Sequence, residues 1–230
     1  MIKILTSNAT HAVLNALARV FERETARDVV VEHASAQDML ARIKNGERAD
    51  VAVLNAPDID ELVTLGVLAA DSRRPFARSR IGIAVRAGRP HPDISTPESL
   101  KRTLLAARSI AHTVHGASGR YVPELFERLG IPDSARPKIV TRPGGLIGEL
   151  VAAGEAEIAV QQISELLAVS GIELVGPLPQ ALQKTLESAA ALFAESDQRT
   201  ASEALLRFFA APSAAATFTE RGLESAGRNA

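Results

Sequence analysis

Apolar positions along this chain switch repeatedly between strand-like runs and helical spacing. IKIL (2–5) is a short apolar run that reads as a buried strand. HAVLNALARVFERET (11–25) follows, with Val13, Leu17, Val20 and Phe21 at helical intervals. DVVVEHA (28–34) is β-branched and strand-like. SAQDMLARIKNG (35–46) reads as a helix with Ser35 at its cap and Gly46 at its end. ADVAVLNA (49–56) is a third strand, and PDIDELVTLG (57–66) a helix with Pro57 near its first turn. This β-α-β-α-β-α order predicts an α/β fold with a parallel sheet flanked by helices.

The alternation resumes at RIGIAVRAG (80–88), a strand, followed by a Pro-containing loop and the helix TPESLKRTLLAA (96–107) with Thr96 as its cap. SIAHT (109–113), KIVTR (138–142), AEIAVQQ (156–162) and IELVGPLP (172–179) read as strands. SGRYVPELFERLG (118–130), GLIGELVAAGE (145–155) and ISELLAV (163–169) read as helices. A second β/α unit thus spans roughly 80–180, with chain crossings near 77–82 and 183–194. TASEALLRFFAAPSAAATFTERG (200–222) predicts two closing helices split at Pro212, packed back on the first unit.

Composition narrows the functions open to such a fold. The chain has 230 residues, 46% of them hydrophobic but only 3% aromatic, with no Trp and one Tyr. Its core is therefore aliphatic, and stacking platforms for sugars or bases are not expected. A net charge of −1 argues against a broad basic face for a nucleic-acid partner. The absence of Cys excludes disulfides, thiolate catalysis and Cys-ligated metals. No cofactor motif is evident: HTVH (112–115) offers two His and no third metal ligand, and no G-x-S-x-G elbow occurs. No apolar run is long enough for membrane insertion. Met1 runs directly into a strand without a leader-like segment, so the chain as written reads as cytoplasmic, or as periplasmic if a leader has been removed.

Candidate chemistry lies at the strand–helix joints. A helix start carries orphan N–H groups and partial positive charge. Ser7 and Asn8 stand at the first joint, either as a helix cap or as part of an anion site. Ser35 stands at the second, Ser118-Gly119 before PELFERLG, and Gly144-Gly145 before LIGELVAAG. In open parallel sheets such joints share one edge, where ligands bind.

Five stretches then carry a resemblance: IKILTSNATHAVLNALARVFE, VVVEHASAQDMLARIKNGERADVAVLNAPDIDEL, GIAVRAGRPHPDISTPESLKRTLLAARSIA, ASGRYVPELFERLGI and PGGLIGELVAAGEAEIAVQQISEL. Their order, covering most of the chain, resembles the type II solute-binding proteins of ABC importers, in particular the molybdate-binding-like branch. The resemblance implies two Rossmann-like lobes with mixed, mainly parallel sheets joined by a two-strand hinge. Lobe I would be 1–79 plus 190–230 and lobe II 80–189. An oxyanion or organic carboxylate would lie between them, held by hydroxyls and backbone N–H groups. By position, the implied ligand-binding residues are Ser7, Asn8, Ser35, Ser118, Gly119, Gly145 and Gln161 or Gln162, with Arg78 and Ser79 beside the hinge. Tyr121 either covers the ligand or packs in the second lobe. Molybdate binders place a Tyr near the second hinge, whereas LQKTLESAAALFAES has none.

Some relatives in that branch resemble enzymes that isomerise aconitate, a tricarboxylate with an allylic proton. Such a shift needs a positioned acid/base. His11, His33, His112, His115 and Glu149 are available, and His112 and His115 follow the strand SIAHT close to the Ser118 joint. Two further roles stay open beside that enzyme: an exported anion receptor with an ABC permease as partner, and a ligand-sensing module.

Overall fold

The computed structural model describes residues 1–226. The first part of the chain runs β1 (Ile2–Ser7), α1 (Asn8–Thr25), β2 (Val29–Ala34), α2 (Ala36–Lys44), β3 (Val51–Asn55) and α3 (Ala56–Thr64). The middle runs β4 (Arg74–Arg86), α4 (Pro97–Ala106), β5 (Ser109–Thr113), α5 (Val122–Arg128), β6 (Lys138–Arg142), α6 (Gly148–Ala152), β7 (Ile158–Gln162), α7 (Ile163–Leu166) and β8 (Ile172–Pro177). The last part holds β9 (Thr185–Leu192), α8 (Arg199–Phe209), α9 (Ala215–Glu220) and β10 (Leu223–Ser225). Two compact units result: unit 1 is Met1–Arg78 with the chain from Glu187 onward, and unit 2 is Ser79–Leu186.

In unit 1 the strand order is β2-β1-β3-β9-β4, with β1 parallel to both β2 and β3 and β9 antiparallel to β3. The sheet is covered on both faces, which is why VAVLN reads as an uninterrupted apolar run. Val51 and Val53 pack with Ile2, Ile4, Val13, Leu17 and Phe21 on one face. Ala52 and Leu54 pack with Leu5, Met39, Ile43, Ile59 and Leu62 on the other. The closing helices bring Leu205, Phe209 and Phe218 into the first cluster, where Phe76 meets both phenylalanine rings at centroid distances of 6.2 and 5.3 Å.

In unit 2, β4 pairs antiparallel with β7 and β8, while β5 runs parallel to β6 and β7. Its larger core joins Ile81, Ile83, Leu100, Leu104, Ile110, Leu125, Phe126 and Val160. Tyr121 packs there as well: it is 1% exposed, donates to Leu182 O at 2.6 Å and accepts from Arg128 Nη1 at 2.7 Å. Gln183 clamps the start of this stretch of β4, accepting from Ile81 N and donating to Ile81 O, both at 2.9 Å.

Several elements differ from the sequence pattern. The sheets are mixed, as the resemblance implies and unlike the all-parallel sheet of the simple β-α alternation, because β9 runs against β3 and β4 against β7. β4 begins six residues before Arg80. β9 escapes the pattern because TLESAAAL is alanine-rich, a composition poor in strand preference that tertiary pairing overrides. The helix expected from Ser118 opens as a 3₁₀ turn, Gly119–Tyr121, and becomes α-helical at Val122, beside Pro123. The helix expected over 145–155 shortens to Gly148–Ala152, flanked by Gly145 and Gly154 at φ +90° and +80°.

Candidate functional site

Parallel pairing brings the carboxyl ends of β1, β2 and β3 to one edge of unit 1, where α1, α2 and α3 begin. Two of the joints are finished differently. Ser35 caps α2: its hydroxyl accepts from Asp38 N at 3.2 Å and donates to the Asp38 carboxylate. Ser7 occupies the N-cap of α1 with extended backbone, but its side chain makes no capping bond. Its hydroxyl meets Thr10 Oγ1 only at 3.5 Å. The first turn of this 18-residue helix carries no acidic residue, so its positive end stands without a carboxylate beside it.

Asn8 binds a side chain of the neighbouring strand. Its Oδ1 accepts from His33 Nδ1 at 2.8 Å, and the β1–β2 register sets His33 opposite Thr6 at this edge. His11, in the first turn of α1, stacks on His33 with ring centroids 3.5 Å apart and planes at 22°. Asn15, one turn further on, donates from Nδ2 to His11 Nε2 at 2.6 Å. These contacts place the His11 proton on Nδ1 and leave His33 Nε2 with its lone pair. Burial, and then repulsion from His33, holds His11 down at about 4; burial lowers His33 also. Both rings are neutral at pH 7.

Unit 2 has its own edge of the same kind. β5 and β7 end there, and antiparallel β4 starts there, since Ile81 pairs with Gln162. Four buried hydroxyls, Ser79, Thr113, Ser118 and Ser164, find no hydrogen-bond partner among the described residues. Burying such a group unpaired costs about 1–3 kcal/mol, so four on one edge is a feature that ligand contacts would relieve. Gly119 makes the tight return after β5: a Cβ there would lie 1.8 Å from Thr113 O. Gln161 accepts from Ile147 N and donates to Gly145 O, both at 2.9 Å, so its amide ties the glycine loop to β7.

Gln162 donates to Glu165 Oε2 at 3.3 Å. Burial drives the Glu165 carboxyl up to about 8 against the pull of its Gln162 and Gln161 hydrogen bonds, so it is a neutral acid at pH 7.

The remaining sequence candidates are engaged locally. Arg78 pairs with Glu187 at 3.2 Å, both side chains exposed. His112 contacts Thr113 O through Nδ1 at 3.0 Å. The His115 backbone N–H donates to Pro143 O at 2.8 Å. Arg142 pairs with Glu149 at 3.0 Å. Among the described residues no group of three or more His, Asp or Glu side chains is arranged to hold a metal ion, and no helix is long and apolar enough to cross a membrane. Sequence pattern offers His11 and His33 only as separate acid/base candidates and carries no signal for Glu165. The stack becomes legible once β1 and β2 are set side by side, because a first-turn residue of the intervening helix then meets the end of the next strand.

A two-unit mixed α/β fold with ligand-type groups at the strand ends defines the type II periplasmic binding-protein class. Residues 2–224 match the family described as bacterial extracellular solute-binding protein, and the chain belongs to that family. It is 34% identical to an aconitate isomerase from Pseudomonas sp over 227 residues, covering 96% of this chain and 86% of that protein. Its fold superposes on the periplasmic molybdate-binding protein of Azotobacter vinelandii with a TM-score of 0.81 at 19% identity, covering 97% of this chain and 98% of that one. The sulfate-binding protein SubI of Mycobacterium tuberculosis H37Rv gives 0.74 at 18% identity, covering 98% and 86%.

Proposed function

We propose that this protein binds a small organic polycarboxylate of the aconitate class and interconverts its isomers by an allylic proton shift. The observation that carries the reading is the likeness to the Pseudomonas aconitate isomerase along nearly the whole chain. The chemistry needs donors for a polyanion and a neutral base near the reacting carbon. In unit 1 the α1 N-terminus, without a side-chain cap, supports the first requirement; unit 2, taken by itself, offers buried hydroxyls at Ser79, Thr113, Ser118 and Ser164. Neutral imidazoles at His11 and His33 support the second.

A second reading is a receptor that captures a tetrahedral oxyanion and delivers it to a membrane permease. Membership of the solute-binding family favours it, as does a donor set of hydroxyls and backbone N–H groups, which suits an oxyanion equally well. A thermal-shift panel separates the two: molybdate, tungstate, sulfate, phosphate, citrate, and cis- and trans-aconitate. A ligand at 100 times its Kd adds about 2.7 kcal/mol, or roughly 5–10 °C for a chain of this size. A shift with aconitate alone supports the first reading; a shift with a tetrahedral oxyanion alone supports the second and removes the first.

A further inference from the structure

We propose that His33 is the base of the allylic shift, with Asn8 and His11 as its positioning residues; the inference rests on the isomerase reading above. An amide oxygen at 2.8 Å from His33 Nδ1 fixes the proton on that nitrogen and leaves Nε2 as the acceptor. His11, stacked at 3.5 Å, holds the plane of the ring from one side and is itself held by Asn15. His33 is exposed while His11 is half-buried beneath it, so the outer ring is the one a ligand reaches. Ring, amide and helix start lie together at the carboxyl ends of β1 and β2.

The step balances without a cofactor. His33 Nε2 takes a proton from the substrate methylene; that C–H bond breaks and an N–H bond forms. The electron pair enters the allyl system conjugated with the flanking carboxylates. The imidazolium returns its proton to the opposite allylic carbon, the double bond migrates, and the neutral ring is restored. The transient imidazolium keeps its Nδ1–H bond to Asn8, and the negative substrate offsets its charge. His112 is tied through Nδ1 to the carbonyl of its neighbour Thr113.

The test measures isomerisation of trans- and cis-aconitate by proton NMR and binding of the same compounds by calorimetry. The proteins are wild type, His33→Gln, His33→Asn, Asn8→Ala, Asn8→Asp and His91→Gln. Loss of a positioned general base lowers kcat by about 10²–10⁴-fold, so both His33 variants should fall at least 100-fold while Kd stays within about fivefold. Retained binding also reports that they are folded. Asn8→Ala should lower kcat more than it raises Kd, and Asn8→Asp, which keeps an acceptor oxygen, should restore the rate. His91→Gln, altering an exposed pair with Glu173, should match wild type. If wild type turns over and the His33 variants keep its rate, the assignment of His33 is overturned and the isomerase reading stands. If wild type binds aconitate without converting it, or does not bind it, the isomerase reading falls and takes the assignment with it.

Discussion

Replacing Glu165 by Gln tests whether the carboxyl buried behind the unit 2 edge is neutral in the folded protein. The side chain is 6% exposed and receives a 3.3 Å hydrogen bond from Gln162, and its pKa is raised from 4.5 to about 8 by burial. Between those two values the unfolded chain has released the proton and the folded protein still holds it. Raising pH through that window therefore favours the unfolded state by about 1.4 kcal/mol per pH unit. At pH 7 the accumulated penalty is roughly 3 kcal/mol, a large share of a stability of ~5–15 kcal/mol. Gln does not ionise, so Glu165→Gln removes the slope. Urea unfolding of both proteins at pH 5, 6, 7 and 8 should show the variant gaining about 1.4 kcal/mol on wild type per pH unit up to near pH 7.5, then levelling. A stability difference that does not change with pH would mean that the carboxyl ionises in the folded state as it does in the unfolded one.

Other outcomes follow from single contacts. Tyr121→Phe deletes a hydroxyl that serves Leu182 O and Arg128, and should cost about 1–3 kcal/mol in urea unfolding. Gly119→Ala drives a methyl group into Thr113 O and should displace the turn that carries Ser118; a lowered Tm together with weakened ligand binding would show it. His11, held near 4, resists protonation in the folded protein but not in the unfolded one. Stability should therefore fall as pH drops from 6.5 towards 4, and His11→Gln should flatten that limb in a pH series of thermal melts. Thr96→Ala breaks a capping box with Ser99 and should cost about 1 kcal/mol, read as a drop in the urea midpoint at constant slope.

Strong periodicity makes much of the fold legible in the sequence. SIAHT and KIVTR become strands over the residues the pattern assigns, and Thr96 and Ser35 cap the helices they precede. β9 was not legible, since three alanines and a glutamate carry no strand signal until β3 pairs with them. At the site, composition could mark Ser7, Asn8, Ser35 and Ser118 as joint residues without dividing caps from free donors. That division depends on individual hydrogen bonds: Ser35 caps, Ser7 does not, and Ser118 is buried without a partner. His11 and His33 are 22 positions apart in sequence, so their stacking follows from the parallel register and not from local spacing.

Action of this chain on an unsaturated tricarboxylate is tested by a proton NMR time course of purified protein with trans-aconitate, with the cis isomer as the reverse experiment. Growth of the other isomer's vinyl signal from either side, to a common equilibrium ratio, is the predicted result. Unchanged spectra from both sides, with molybdate or sulfate bound tightly by the same preparation, would contradict it.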